Sequence, residues 1–215
     1  MQICGIDEAG RGPVIGPLVV AAVCVHDDAE LKKLGVRDSK KLQRKKRDEL
    51  AGLIEKVAIV ETIVLEPKEI DDLMDILNLN YIEAGIFAKL IDKLTPDVVY
   101  VDAADANEEH FRQMIDERCT WKCKIVAEHK ADEKYPVVSA ASIIAKVRRD
   151  AAVDKIKKEI GIDFGSGYPS DPRTVKYLQN IIAEHRPLPK FVRKHWSTVS
   201  KVKDEISTKK LEEFK

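Results

Sequence analysis

An Asp-Glu pair followed by a glycine-bracketed arginine is the part of this chain best suited to chemistry. Asp7 and Glu8 end a short apolar run, and Gly10, Arg11 and Gly12 follow at once. Two adjacent carboxylates at the end of a strand are costly unless a cation lies between them. Glycines on both sides of Arg11 let the backbone approach a ligand, with N–H groups that can bond oxygens. The segment predicts a metal-binding carboxylate cluster beside a loop that contacts a phosphate or a sugar.

Two other kinds of loop use similar residues. A dinucleotide-binding loop does not fit, because the glycine spacing is G-x-G-x-x-x-G and Pro13 and Pro17 interrupt it. A tight hairpin with surface acids would use the same residue types, and the segment alone leaves it open.

Two further carboxylates follow other predicted strands. Asp102 comes directly after the apolar run 98–101, and Asp132 comes five residues after the run 124–127. Sites in open α/β sheets gather at the carboxyl ends of strands, so these acids should meet the first pair. Four carboxylates in one place require cations, and Mg²⁺ or Mn²⁺ prefers such oxygen ligands. Two such ions about 4 Å apart are suited to phosphodiester cleavage.

The elements that must position these acids follow from hydrophobic patterning. Apolar runs without helical period predict five strands, at 3–6, 18–25, 58–65, 98–101 and 124–127. The first three are closely connected and predict an antiparallel meander, whereas the last two each follow helical sequence, which favours parallel addition. The longest predicted helix covers 137–160, and helical sequence resumes at 173–185 and from about 199 onward. The pattern is that of an α/β protein.

Composition bounds the class of protein. The chain has 215 residues, 44% of them hydrophobic and 34% charged, which fits one domain with a small appendage. No apolar run approaches the roughly 20 residues of a membrane span, and the first ten residues lack the pattern of a signal peptide. Cys4 and Cys24 lie in predicted strands and are expected to be free, buried thiols, and the cysteine spacing does not favour a zinc site. We therefore expect a cytoplasmic protein without a membrane anchor.

The charge distribution points toward nucleic acid. Net charge is zero, which by itself argues against nonspecific nucleic-acid binding, but basic residues crowd 37–47 and 185–203. Two basic stretches and an acidic cluster are typical of an enzyme that binds the phosphates of a nucleic acid and cleaves its backbone at one site. A solvated helix face explains either stretch taken alone.

Six segments, in order, resemble the motif set of ribonuclease HII in its archaeal form. They are G-I-D-E-A-G-R-G-P at 5–13, D-S-K-K-L at 38–42, V-D-A at 101–103, H-K-A-D at 129–132, V-V-S-A-A-S-I-I-A-K at 137–146 and G-S-G-Y-P-S-D-P at 165–172. The resemblance implies a ribonuclease H-like α/β fold with a central five-stranded mixed sheet flanked by helices. It implies a catalytic domain at 1–160 and a helical C-terminal extension at 161–215 that contributes Tyr168.

The resemblance also implies an activity and a set of roles. The activity is two-metal-ion endonucleolytic cleavage of the RNA strand in RNA–DNA hybrids and at single ribonucleotides embedded in duplex DNA, which leaves 5′-phosphate and 3′-hydroxyl ends. The catalytic, metal-binding carboxylates would be Asp7, Glu8, Asp102 and Asp132. Gly10, Arg11 and Gly12 would sense the ribose 2′-hydroxyl through backbone groups, and Tyr168 would stack on the next sugar. Phosphate contacts are expected from Lys40, Lys41, Ser139, Ser142 and Lys146, whereas Asp105, Glu128 and Glu133 are interpreted as loop acids.

The C-terminal tail suggests a partner. Residues 208–215 faintly resemble the Q-x-x-L-x-x-F-F motif that docks on the sliding clamp, with Leu211 and Phe214 three residues apart. Thr208 and Lys215 depart from that motif, and a charged helix end explains the same residues. We expect a monomer. Two alternatives stay open, a junction resolvase-like two-metal nuclease of the same superfamily and a noncatalytic nucleic-acid-binding module.

Overall fold

The computed structural model describes the backbone of residues 1–36 and 42–213 and the side chains up to residue 208. In these parts of the chain the strands are β1 (Ile3–Ala9), β2 (Leu18–Val25), β3 (Ile59–Leu65), β4 (Val98–Asp102) and β5 (Lys124–Glu128). The helices are α1 (Ala29–Leu34), α2 (Arg44–Val57), α3 (Pro67–Met74), α4 (Leu79–Leu94), α5 (Glu108–Asp116), α6 (Ala131–Lys134), α7 (Pro136–Ile160), α8 (Pro172–Ala183) and α9 (Ser197–Glu213). Among the helices described, none is long and apolar enough to cross a membrane.

The strands form one mixed sheet in the order β3-β2-β1-β4-β5. β1 and β2 are antiparallel, whereas β1 pairs with β4, and β4 with β5, in parallel. The predicted mixed five-stranded sheet is confirmed. β1 runs to Ala9, three residues past its apolar run, because its second half still pairs with β2, where Asp7 faces Ala21 and Glu8 faces Val20. The two acids therefore lie within the end of a strand.

The chain divides into two compact units. The first comprises residues 1–9, 19–64 and 77–148, and the second comprises residues 10–18, 65–76 and 149–215. The proposed boundary at residue 160 stays a prediction. In the first unit, small residues at the start of α7 pack on the sheet. An added Cβ at Gly5 of β1 would lie 2.2 Å from the carbonyl carbon of Val137, so glycine is required for this approach.

The second unit has its own apolar cluster. Val14, Ile15, Phe164 and Leu178 are fully buried there, and the ring of Phe164 stacks on that of Phe191 with centroids 6.2 Å apart. Backbone N–H groups of Val14 and Ile15 donate to the carbonyl of Gly167 at 2.9 and 3.2 Å. This network ties residues 10–18 to the loop that carries Tyr168.

The expectation of free thiols at Cys4 and Cys24 is wrong. The two residues are direct partners across β1 and β2, with Cα atoms 4.1 Å apart, and the structure joins them in a disulfide. Sequence separation concealed the pairing, because only the strand register brings the two side chains together. Cys119 and Cys123 are free.

Candidate active site

The parallel pairing of β1 and β4 brings two of the predicted carboxylates side by side. Ile6 pairs with Val101, so Asp7 and Asp102 each follow the last paired residue of the two parallel strands, on the side where the carboxyl ends of those strands lie. Asp7 is buried, and the negative charge of Asp102 is close enough to act on its titration. The two carboxylates therefore belong to one electrostatic cluster.

A hydrogen bond from the residue before it, Ala131, places Asp132 near Asp102. Asp102 Oδ1 accepts the backbone N–H of Ala131 at 3.0 Å. Ala131 is the first residue of α6, and Asp102 accepts one of the N–H groups that the first turn of a helix leaves without an intrahelical partner. Asp132 is the next residue of the helix and is also buried.

The start of α7 supplies polar partners to Asp7. Burial raises the pKa of the Asp7 carboxyl from 3.8 to about 6, and the charge of Asp102 adds to the rise. The Lys146 ammonium and a hydrogen bond from Ser142 act in the opposite direction. Lys146 Nζ also donates to Ser142 Oγ. A buried carboxyl with this raised pKa is stabilised as an anion by further positive charge, which fits a site that binds cations.

The other predicted contacts of the first unit are placed as follows. Ser139 is buried and its hydroxyl donates to the carbonyl of Val36, so its role as a phosphate contact stays a prediction. Lys40 and Lys41 lie outside the described residues. Within the described chain, no three His, Cys, Asp or Glu side chains are grouped closely enough to hold a metal ion together.

Of the three acids interpreted as loop acids, Asp105 lies in a loop as predicted, whereas Glu128 is the last residue of β5 and Glu133 lies in α6. Asp105 accepts the backbone N–H of Asn107 at 2.8 Å and the side-chain amide of Asn80 at 2.7 Å, and these bonds lower its pKa. Glu128 pairs with Lys134 and accepts the Tyr135 hydroxyl at 3.0 Å. Glu133 is exposed.

In the second unit, the Gly-Arg-Gly loop (residues 10–12) lies against Tyr168. Gly10 has φ +95°, and an added Cβ there would lie 2.4 Å from the carbonyl oxygen of Pro17. An added Cβ at Gly12 would lie 3.5 Å from Cε1 of Tyr168, so the ring packs on the glycine backbone. The Tyr168 side chain is 38% exposed. Its ring lies 5.1 Å from the guanidinium carbon of Arg149, a cation–π contact that orients it.

Comparison with known proteins assigns the family. The family model "Ribonuclease HII" matches residues 4–199. Ribonuclease HII of Thermococcus kodakarensis is 49% identical over 99% of this chain and 95% of its own length. The chain belongs to the ribonuclease HII family. It is accordingly a ribonuclease H endonuclease that acts on RNA–DNA hybrids, which disfavours both the junction resolvase and the noncatalytic module.

Solved structures agree with this assignment. The ribonuclease H2 of Pyrococcus horikoshii OT3 superposes with a TM-score of 0.89 at 39% identity, over 96% of this chain and 99% of that one. The matching chain in the structure of the PCNA:RNase HII complex from Archaeoglobus fulgidus superposes with a TM-score of 0.86 at 46% identity, over 92% of this chain and 96% of that one. The ribonuclease H-like fold is thereby confirmed.

Sequence reasoning missed one residue of this ribonuclease HII, Arg193. It counted only as one cation of the basic stretch 185–203, yet its side chain is fully buried. Burial lowers the pKa of the guanidinium to about 9, and the neighbouring charge of Arg149 contributes. The sequence signal for a buried arginine is its apolar surroundings: Arg193 follows the apolar pair Phe191-Val192 and lies three residues before Trp196.

Proposed function

We propose that this ribonuclease HII cleaves the RNA strand of RNA–DNA hybrids, and cleaves beside single ribonucleotides in duplex DNA, by metal-dependent hydrolysis. The observation that carries the proposal is that Asp7 and Asp102 directly follow the paired residues Ile6 and Val101 of two parallel strands and interact electrostatically. Asp102 also accepts the backbone N–H of Ala131, the residue before Asp132. Water adds to the phosphorus and the bond to the 3′ oxygen breaks, which leaves a 5′-phosphate and a 3′-hydroxyl.

The donor set fits hard divalent ions. Asp7, Glu8, Asp102 and Asp132 offer carboxylate oxygens, and burial of Asp7 makes a bound cation favourable. When bound, Mg²⁺ or Mn²⁺ would lower the pKa of a bound water and neutralise charge on the leaving oxygen.

We assign the remaining residues to substrate contacts. Lys146 and Ser142 would contact phosphates, and beside Asp7 they also favour the ionised form of its carboxyl. The backbone of the Gly-Arg-Gly loop would contact the ribose 2′-hydroxyl, which is the group that distinguishes RNA from DNA. The exposed ring of Tyr168 would stack on the adjacent sugar, and Lys40, Lys41 and Ser139 would contact phosphates.

The test is a labelled DNA duplex with one ribonucleotide, run beside an RNA–DNA hybrid, an all-DNA duplex and a branched DNA. We expect cleavage of the first two with Mg²⁺ or Mn²⁺ and none with EDTA. Asp7→Asn should abolish cleavage while the duplex still binds. Glu133→Gln is the matched control, because it removes an exposed carboxylate one residue from Asp132. Cleavage in EDTA, or a tenth of wild-type turnover in Asp7→Asn, would contradict the proposal.

We also propose that the tail docks on a sliding clamp. The support is the PCNA complex of the 46% identical Archaeoglobus fulgidus protein, together with the extension of α9 to Glu213. Leu211 and Phe214 would share one face of a helical turn. The side chain of Leu211 and all of Phe214 lie outside what the structure describes. A monomer with a cytoplasmic location remains our prediction.

A further inference from the structure

Arg193 directs its donors at one loop. Nη2 donates to the carbonyl oxygen of Gly10 at 2.6 Å, and Nη1 donates to that of Arg11 at 3.2 Å. Nε donates to the carbonyl oxygen of Gly16 at 2.9 Å. These carbonyls lie 177 to 183 residues away in the sequence. The fully buried guanidinium thus binds the backbone of the Gly-Arg-Gly loop through hydrogen bonds.

These hydrogen bonds determine the direction in which the N–H groups of the loop point. The peptide bonds described are trans. In a trans peptide the carbonyl of one residue and the N–H of the next point in opposite directions. With the Gly10 and Arg11 carbonyls turned toward Arg193, the N–H groups of Arg11 and Gly12 are turned to the opposite side of the loop.

Trp196 completes the set of carbonyl contacts. Its Nε1 donates to the carbonyl oxygen of Gly12 at 3.1 Å. The peptide after Gly12 leads to Pro13, which has no N–H. The Trp196 ring lies 4.6 Å from the guanidinium carbon of Arg193, a cation–π contact that joins the two side chains. All three carbonyls of the loop are therefore held by this pair.

The segment that carries the pair is itself anchored. The buried carboxylate of Asp71, on α3, accepts the backbone N–H of Lys194 at 2.9 Å and that of His195 at 3.3 Å. Burying a guanidinium beside a second cation, Arg149, is unfavourable, and an apolar side chain of equal volume would pack at lower cost. Packing alone does not account for an arginine at this position.

We propose that Arg193 and Trp196 are positioning residues that orient the Gly-Arg-Gly loop so that its two outward N–H groups meet the ribose, and that they thereby set the preference for a ribonucleotide. The inference rests on the proposed function, in which this loop senses the 2′-hydroxyl. Loosening the carbonyl contacts should lower discrimination of ribose from deoxyribose and leave general duplex binding intact.

The test measures a discrimination ratio. Binding is measured by fluorescence anisotropy in EDTA for a duplex with one ribonucleotide and for an all-DNA duplex of the same sequence. The discrimination ratio is the Kd for the all-DNA duplex divided by the Kd for the duplex with one ribonucleotide. KM and kcat are measured for the duplex with one ribonucleotide. Trp196→Phe keeps an aromatic ring on Arg193 and loses one hydrogen bond, so the ratio should fall about fivefold. Arg193→Lys keeps the charge and cannot reach three carbonyls, so the ratio should fall about tenfold or more.

The matched control is Trp121→Phe. Trp121 Nε1 also donates to a backbone carbonyl, that of Pro96, at 2.8 Å, and it lies in the other unit of the chain. Its ratio should equal that of the wild type. If Arg193→Lys fails to fold, Trp196→Phe decides alone.

Each result bears on a different claim. If the wild type does not distinguish the two duplexes, the loop does not sense the 2′-hydroxyl, and the part of the proposed function that assigns it this role fails together with the positioning role. If the wild type discriminates and Trp196→Phe keeps the full ratio, the positioning role is refuted while the proposed function stands. An equal loss of binding to both duplexes also refutes it, because it would show a merely structural effect.

Discussion

Removal of the Asp7 charge should stabilise the metal-free protein while it destroys activity. Burial raises the pKa of this carboxyl from 3.8 to about 6. The folded state therefore binds the proton more tightly than the unfolded state does. The contribution of Asp7 to stability is fully present below about pH 4 and is lost as the pH rises through about 6. Above that, the folded protein carries a buried carboxylate at a cost of about 3 kcal/mol, since one pKa unit corresponds to about 1.36 kcal/mol.

Asparagine is neutral at every pH and does not carry this cost. In EDTA at about pH 8, the free energy of unfolding of Asp7→Asn should exceed that of the wild type by up to about 3 kcal/mol. The difference should shrink toward zero as the pH falls to about 4. Added Mn²⁺ should close the gap, because an ion that binds only the folded wild type stabilises it by mass action.

The assay is urea denaturation followed by circular dichroism across this pH range, with EDTA or with Mn²⁺. Glu133→Gln is the control, because its exposed carboxylate should leave the pH profile unchanged. The reasoning is refuted if Asp7→Asn is less stable than the wild type at about pH 8 in EDTA, or if its stability keeps the wild-type dependence on pH.

Three further predictions concern other parts of the chain. Tyr168→Ala should slow cleavage at a lone ribonucleotide about tenfold or more, since stacking is worth on the order of 1–3 kcal/mol, and wild-type rates on every substrate would make Tyr168 a packing residue. Gly5→Ala should lower the free energy of unfolding by several kcal/mol, because the new Cβ would lie 2.2 Å from the backbone of Val137; an unchanged urea midpoint would show that α7 can move away. A peptide of residues 200–215 should bind the sliding clamp, and Phe214→Ala should abolish this binding. No binding at high micromolar peptide, or binding that the substitution leaves intact, would remove the tail from the interface.

Local sequence determined much of the sheet and of its catalytic edge. The apolar runs predict the strands, most clearly β2, which is buried along its whole length, because a strand buried on both faces needs continuous apolar sequence. Acids that directly follow such runs predict the cluster, because parallel strands end at one edge of the sheet. Asp7 and Asp102 accordingly follow paired residues of two parallel strands. The small residues that open α7 predict a close approach, which Gly5 permits.

What the tertiary structure decided depends on contacts between residues far apart in the chain. Arg193 belongs to a basic stretch of the sequence, and only the fold brings it to carbonyls more than 170 residues away. The hydroxyl of Ser139 is likewise bonded to Val36, 103 residues before it. Cys4 meets Cys24 only through strand register. The raised pKa of Asp7 also required the fold, because desolvation is set by all the surrounding elements and not by neighbours in sequence.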